Sequence, residues 1–121
     1  MGCGILKNLR RQPKGNLRGR FKTDAAGGFS FRSIIPKGYP IPHDGPVGRF
    51  LESTGRHPWR PAHLHVIATA PGRKPLTTAL YMEGDAYLDS DAVFGVSSAL
   101  VVSPTRDATG ARITYDFTLE A

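Results

Sequence analysis

Two histidines, His63 and His65, stand one residue apart in the stretch HPWRPAHLHV. On a β-strand, side chains at i and i+2 leave the same face. Two imidazoles on one face can hold a first-row metal ion, although an H-x-H pair also occurs with no metal involved. A third donor decides the chemistry. The single cysteine, Cys3, cannot build a thiolate site, and the next acid after His65 is Glu83, too far along to complete a site on the same strand. Tyr39 lies 24 residues before His63, in the stiff run GYPIP. A phenolate is a hard anionic oxygen and favours Fe(III) over Zn(II). An isolated tyrosine is more commonly a packed ring with a satisfied hydroxyl. His43 and His57 have no such pairing and read as loop residues.

These residues need a frame to position them. LRGRF (17–21) and FSFRSII (29–35) alternate as half-buried strands do, and TDAAGG (23–28) between them is a turn, so the three together predict a hairpin. PKGYPIPHDGPVG (36–48) holds four prolines and three glycines and is a stiff loop rather than a central strand or helix. VGRFLESTG (47–55) predicts a short helical turn. AHLHVIATA (62–70) and PLTTALYM (75–82) predict two strands across the turn PGRK. SALVVSP (98–104) and ARITYDFTLE (111–120) predict two more, separated by the turn TRDATG. Short strands at turn-punctuated intervals, with no long helix, predict an all-β protein, a β-sandwich of antiparallel strands.

Length and charge narrow the function classes. The 121 residues suit one domain. Gly 14 and Pro 10 fit short strands joined by many turns. One cysteine excludes an internal disulfide framework. No apolar run is long enough for a membrane helix, and MGCGILKNLRR lacks the pattern of a secretory signal, so neither a membrane nor export is expected and the cytoplasm is. Gly2 and Cys3 fall short of a lipidation motif, which wants Ser or Thr where Leu6 stands. The net charge of +6 is lopsided. Residues 1–37 carry nine Lys/Arg and one acid, Asp24. A basic arm can bind nucleic acid, but no aromatic residue interleaves the first twenty positions to stack bases. A solvated arm with no nucleic-acid partner is the expectation.

The stretches GNLRGRF, TDAAGGFSFRSIIPKGYPIPHDGPVG, GRHPWRPAHLH, APGRKPLTT and DAYLDSDAVFG closely resemble the intradiol ring-cleaving dioxygenases. The likeness is nearest to the catechol, chlorocatechol and hydroxyquinol 1,2-dioxygenase branch, with YPIPHDGPVG and YLDSDAVFG most like the hydroxyquinol members. It runs from about Gly15 to the C-terminus. The resemblance implies a β-sandwich around a non-haem ferric ion, Fe(III), held by two tyrosines and two histidines. Tyr39 matches the tyrosine that leaves the metal and helps deprotonate substrate. His63 and His65 match the histidine ligands. Arg60 matches the arginine beside the site, whose fixed charge suits a ring gaining carbanion character. Ile41, Pro42 and Val93 match residues lining the ring pocket. The implied reaction joins a small aromatic diol and O2, cuts between the two hydroxylated carbons, and yields a muconate, or maleylacetate from hydroxyquinol.

The departures from the family pattern carry their own expectations. The family's first tyrosine ligand should precede NLRGRF, yet no tyrosine occurs before Tyr39, and Cys3 falls near the expected place. Tyr81, Tyr87 and Tyr115 belong to stretches matching non-ligand positions. A glutamine sixteen residues after the first histidine is replaced by Ala79. The helical N-terminal region through which full-length relatives form homodimers is absent. The expected organisation is an irregular leader over 1–14 and a partial catalytic sandwich over 15–121, truncated at its N-terminus. Three protein ligands should then hold iron weakly and support poor turnover. The alternative is a non-catalytic β-sandwich remnant or binding module.

Overall fold

The computed structural model describes residues 13–121. Cys3 and almost all of the expected leader lie outside the described residues. Among these residues the chain is mostly sheet with one helix. Its elements in order are β1 (Tyr39–Pro40), α1 (Pro46–Ser53), β2 (Trp59–Arg60), β3 (His63–Ala68), β4 (Leu76–Met82), β5 (Val101–Val102), β6 (Thr105–Asp107) and β7 (Gly110–Arg112). A single 3₁₀ turn over Ser98–Leu100 leads into β5. None of the helical segments is long and apolar enough to cross a membrane.

The central ladder is the one the alternation predicts. β3 and β4 pair antiparallel across the Pro71–Lys74 turn, with His63 opposite Tyr81, Leu64 opposite Leu80 and His65 opposite Ala79. One face carries the histidines. The other sends Leu80 and Met82 into a core with Ala62 and Val102, against which Leu100, Ile113, Tyr115 and Phe117 pack. β5 joins the far edge of β4 in parallel, Tyr81 beside Val101 and Met82 beside Val102. This corrects the expectation of an antiparallel sheet throughout. The long excursion from Met82 to Val101 is what a parallel neighbour requires, because a tight turn returns the chain antiparallel.

The expected hairpin over 17–35 is only half present. Its turn forms: the Asp24 carboxylate accepts the N–H groups of Ala26 and Gly28, and Gly27 takes a left-handed φ of +84°. The flanking residues make no ladder among the described residues. They leave Phe21, Phe29 and Phe31 about half exposed, with Phe21 and Phe31 stacked at 5.0 Å. An alternating strand is held by the apolar face it lies on, and these residues have little to lie on. At the other end, TRDATG becomes β6, a turn and the start of β7 rather than a simple turn. The expected strand 111–120 is a ladder only to Arg112. Beyond it Ile113, Tyr115, Phe117 and Leu119 are half-buried while their neighbours are exposed, so its period is a strand's although it forms no ladder, and the Glu120 carbonyl accepts the Lys74 N–H at 3.0 Å.

Two small elements bring the loop chemistry in. In β1 and β2, Tyr39 pairs with Arg60 and Pro40 with Trp59, and Ile41 N–H donates to the Pro58 carbonyl. Pro40 is tolerated because this ribbon is two strands wide and a proline can sit at an edge. α1 begins with Pro46, buries Leu51, and ends at Thr54, whose hydroxyl donates to the carbonyls of Phe50 and Leu51. The helical turn expected over 47–55 is this helix.

Candidate active site

Arg60, Pro61, Ala62 and His63 join the β1–β2 ribbon to the β3–β4 ladder. That junction gathers the site. His63 is almost fully buried, at 1% exposure, while His65 stands at the surface. Their Nε2 atoms lie 3.2 Å apart. The Tyr39 hydroxyl lies 3.5 Å from His63 Nε2. The Nδ1–H of His63 donates to the Pro61 carbonyl at 2.7 Å, which leaves the lone pair on Nε2, facing Tyr39 and His65. Among the described residues no three His, Cys, Asp or Glu side chains gather as a metal site, so an ion here depends on the phenol oxygen as the third donor.

Arg60 closes the cluster. Its Nη1 lies 3.4 Å from the Tyr39 oxygen and 3.3 Å from His63 Nε2. The rest of the guanidinium faces away: Nε donates to Asp91 Oδ1 at 2.9 Å, and Nη2 donates to Asp91 Oδ2 at 3.2 Å and to the Tyr81 hydroxyl at 3.4 Å. The five N–H groups of an arginine thus all have acceptors.

The electrostatics follow chiefly from burial, with the charge of Arg60 acting beside it. Burial pushes the His63 imidazole down from 6.5 to about 4, against the Pro61 hydrogen bond, and the charge of Arg60 pushes the same way. His65 is lowered too, chiefly by burial, and the charge of Arg60 adds to it. Both rings are therefore neutral at pH 7 and able to give a lone pair to a metal. Burial works against the charge on Arg60, but its bonds to Asp91 and Tyr39 outweigh it and move its pKa upward. Burial would raise Asp91, yet the Arg60 hydrogen bond, aided by the N–H groups of Gly95 and Val93, holds its carboxyl below the usual range.

The other expected residues are distributed around this core. Ile41, half-buried, and Pro42, exposed, continue directly from β1. Val93, 47% exposed, sits on the turn Asp91–Gly95. Ala79 is buried directly across the ladder from His65. His43 and His57 stay outside the cluster: His43 Nδ1 donates to its neighbour's carbonyl at Ile41, and His57 bonds Ser90 Oγ. The remaining tyrosines are engaged elsewhere. Tyr81 donates to the Gly95 carbonyl, Tyr115 donates to the Ala99 carbonyl, and Tyr87 stacks on Trp59. A cavity of about 350 Å³ lined by His43, Arg49, Glu52 and Pro58 contains neither His63 nor His65. Asp91 and Tyr81, the two groups that hold the far side of Arg60, are the site residues that the sequence reading missed. The acid at the head of DAVFG was the available signal, a carboxylate leading an apolar run.

Chemically, a buried neutral imidazole, a surface imidazole and a phenol oxygen meet beside a fixed guanidinium. Such a set can bind a hard transition-metal ion and an anionic oxygen ligand at one place. The model of a family described as dioxygenase matches residues 4–121. A 6-chlorohydroxyquinol 1,2-dioxygenase of Cupriavidus pinatubonensis is 52% identical over 103 residues, covering 84% of this chain and 37% of that protein. A hydroxyquinol 1,2-dioxygenase of Nocardioides simplex is 56% identical over 85 residues, covering 70% of this chain and 29% of that protein. Among solved structures, a hydroxyquinol 1,2-dioxygenase from Pseudomonas putida superposes with a TM-score of 0.87 at 43% identity, covering 96% of this chain and 45% of that one. The chain thus spans less than half the length of each of these relatives.

Proposed function

The chain belongs to the intradiol ring-cleaving dioxygenases, and from that premise we propose that it carries the iron-binding site of an enzyme that cleaves a catechol-type ring with O2. The observation that carries this reading is the meeting of Tyr39, His63 and His65 beside Arg60. Hydroxyquinol is the first substrate to consider, because YPIPHDGPVG and YLDSDAVFG are most like the hydroxyquinol members and two of the relatives act, by name, on hydroxyquinols. The cut falls between the two hydroxylated carbons. Both oxygen atoms of O2 enter the product, a muconate or, from hydroxyquinol, maleylacetate. A β-sandwich containing the three small sheets, a catalytic unit over 15–121 and a cytoplasmic location belong to the same reading, supported by the likeness to relatives.

Family members generally depend on non-haem iron. The donors fit that metal: a phenolate is hard and anionic, and two neutral imidazoles suit first-row ions. Ferric ion, when bound, supplies the Lewis acidity and redox capacity that make the diol reactive towards O2. The chain's own residues supply the setting. The Pro61 carbonyl holds His63 with its lone pair inward. The Tyr39 oxygen, which would carry no proton while holding the metal, is the group placed to accept one from an incoming diol hydroxyl. Arg60 presents Nη1 to negative charge developing on the ring, while its other nitrogens stay tied to Asp91 and Tyr81. Ile41, Pro42 and Val93 flank the ring and bias the pocket towards an apolar aromatic.

In these 121 residues no tyrosine precedes Tyr39, and Ala79 stands where the family pattern has a glutamine, so from this chain we expect weak iron occupancy and slow turnover. The test is to load the purified chain with ferric salt, then measure iron content, the visible phenolate-to-iron band and oxygen uptake with hydroxyquinol. A weak band with slow uptake is expected. Full occupancy with uptake as fast as a hydroxyquinol dioxygenase's overturns the impairment. No iron and no uptake favour a second reading, a non-catalytic remnant or binding module, to which Ala79 opposite His65 gives some support.

A further inference from the structure

Asp91 is a carboxylate at 3% exposure, and a buried acid needs compensating partners. It uses both oxygens twice. Oδ1 accepts from Arg60 Nε at 2.9 Å and from the Val93 N–H at 3.3 Å. Oδ2 accepts from Arg60 Nη2 at 3.2 Å and from the Gly95 N–H at 2.8 Å. A ring of bonds closes through Tyr81, whose hydroxyl accepts from Arg60 and donates to the Gly95 carbonyl. Gly95 has no space for a side chain: an added Cβ would lie 2.8 Å from the Tyr81 oxygen, 2.9 Å from Arg60 Nη2 and 3.1 Å from Asp91 Oδ2. Between them Phe94 takes a left-handed φ of +56°, a costly conformation for a phenylalanine. The turn is pinned from outside by Arg56, which lies 4.0 Å over the Phe94 ring and donates to the carbonyls of Asp91 and Ala92.

We propose that Asp91 is a positioning residue that fixes, with one carboxylate, both the guanidinium plane of Arg60 beside Tyr39 and His63 and the turn that carries Val93. The side-on, two-pronged pairing leaves Arg60 one orientation, with Nη1 directed at the cluster. The same oxygens hold Val93 in place, so the charge that meets the diol and the apolar residue beside the ring are set together. The catalytic consequence rests on the dioxygenase reading. The placement of Arg60 does not.

The test uses the full chain with D91N and D91E, in two measurements. In the metal-free protein, hydrogen exchange of the Arg60 Nε–H, followed by ¹⁵N NMR, reports the pairing directly. It should be slow in the wild type and at least about 10-fold faster in D91N, as expected for loss of a charge-assisted hydrogen bond. In the iron-loaded protein, kcat per bound iron for hydroxyquinol should fall about 100-fold in D91N, the scale of an ångström-sized misplacement, and recover in part in D91E. A pair that serves stability alone would lower Tm and leave kcat per iron unchanged, and that outcome overturns the proposal. If the wild type takes up no iron and consumes no oxygen, the dioxygenase reading fails, and the exchange rate alone decides the placement: unchanged exchange in D91N refutes it. If D91N does not fold, D91E decides, since its longer arm should disturb exchange and kcat while a wild-type value of both would refute the proposal.

Discussion

Tyr39 and Arg60 are register partners across the β1–β2 ribbon, and Arg60 Nη1 comes within 3.4 Å of the Tyr39 oxygen. A two-residue ladder in a proline-rich loop therefore does for the phenol what a strand does for the histidines: it fixes the distance to a neighbour by backbone pairing. Removing only the phenol oxygen isolates its role. Y39F should keep the fold, abolish the visible band of the iron-loaded protein, and lower kcat by about 100-fold or more, the range for a positioned proton acceptor. Absorption spectra and oxygen uptake check it, and a band that survives in Y39F would remove Tyr39 from the ligand set.

His63 and His65 should differ in what they contribute to folding while both serve an iron ion. H65A deletes a surface ring and should leave stability within about 0.5 kcal/mol of the wild type, as for most surface changes. H63A leaves a cavity and strips the Pro61 carbonyl of its donor, so a loss of about 2–3 kcal/mol is expected. Both should lose bound iron. Denaturant unfolding of the metal-free proteins alongside iron assays separates the two effects.

The depressed pKa of His63 makes a stability prediction with a definite sign. Above pH 6.5 the ring is neutral in the folded and unfolded chains and contributes no pH dependence. Below 6.5 the unfolded chain takes up a proton that the folded chain refuses until about pH 4, so stability falls as pH falls through that window. Asp91, lowered by Arg60, adds its loss only at lower pH, beneath the ordinary carboxylate value of 3.8. Thermal unfolding of the metal-free chain between pH 7 and 4 should show the decline, and H63Q should flatten it. An unchanged slope in H63Q would assign the decline to other groups.

Ala79 faces His65 across the ladder. A79Q would place an amide beside the surface imidazole, where the family pattern has one. The site is buried, so the larger side chain should cost about 1–3 kcal/mol of stability. If the amide hydrogen-bonds at the site as the resemblance implies, kcat per bound iron should rise even as Tm falls. A fall in both would mean that position 79 serves packing only.

The legibility of the site in the sequence varied by residue, for physical reasons. His63 and His65 were readable because a strand's period of two is local. β3 and β4 were readable for the same reason, with apolar and β-branched residues between clear turn signals. Tyr39 could be named as a possible donor from its chemistry but gained a role only through resemblance, and Arg60 entered through resemblance alone, since nothing local announces that a loop tyrosine will pair with a residue 21 positions on. Asp91 was passed over because its partner lies 31 residues away and acids between strands are common. Strands at 17–21 and 29–35 were expected from alternation alone, and alternation states only that a face could be buried. The parallel seating of β5 depends on where a long excursion returns, which no window of sequence contains.

The hydrogen bond from His63 to the Pro61 carbonyl has a consequence for how an ion would be captured. Pro61 and His63 are both fully buried, so that carbonyl is a stationary anchor and the imidazole tethered to it is held in one orientation. The ordering entropy of this ligand is spent when the chain folds. Any reordering that ion capture needs should therefore fall on the exposed His65, with the buried ring already in place.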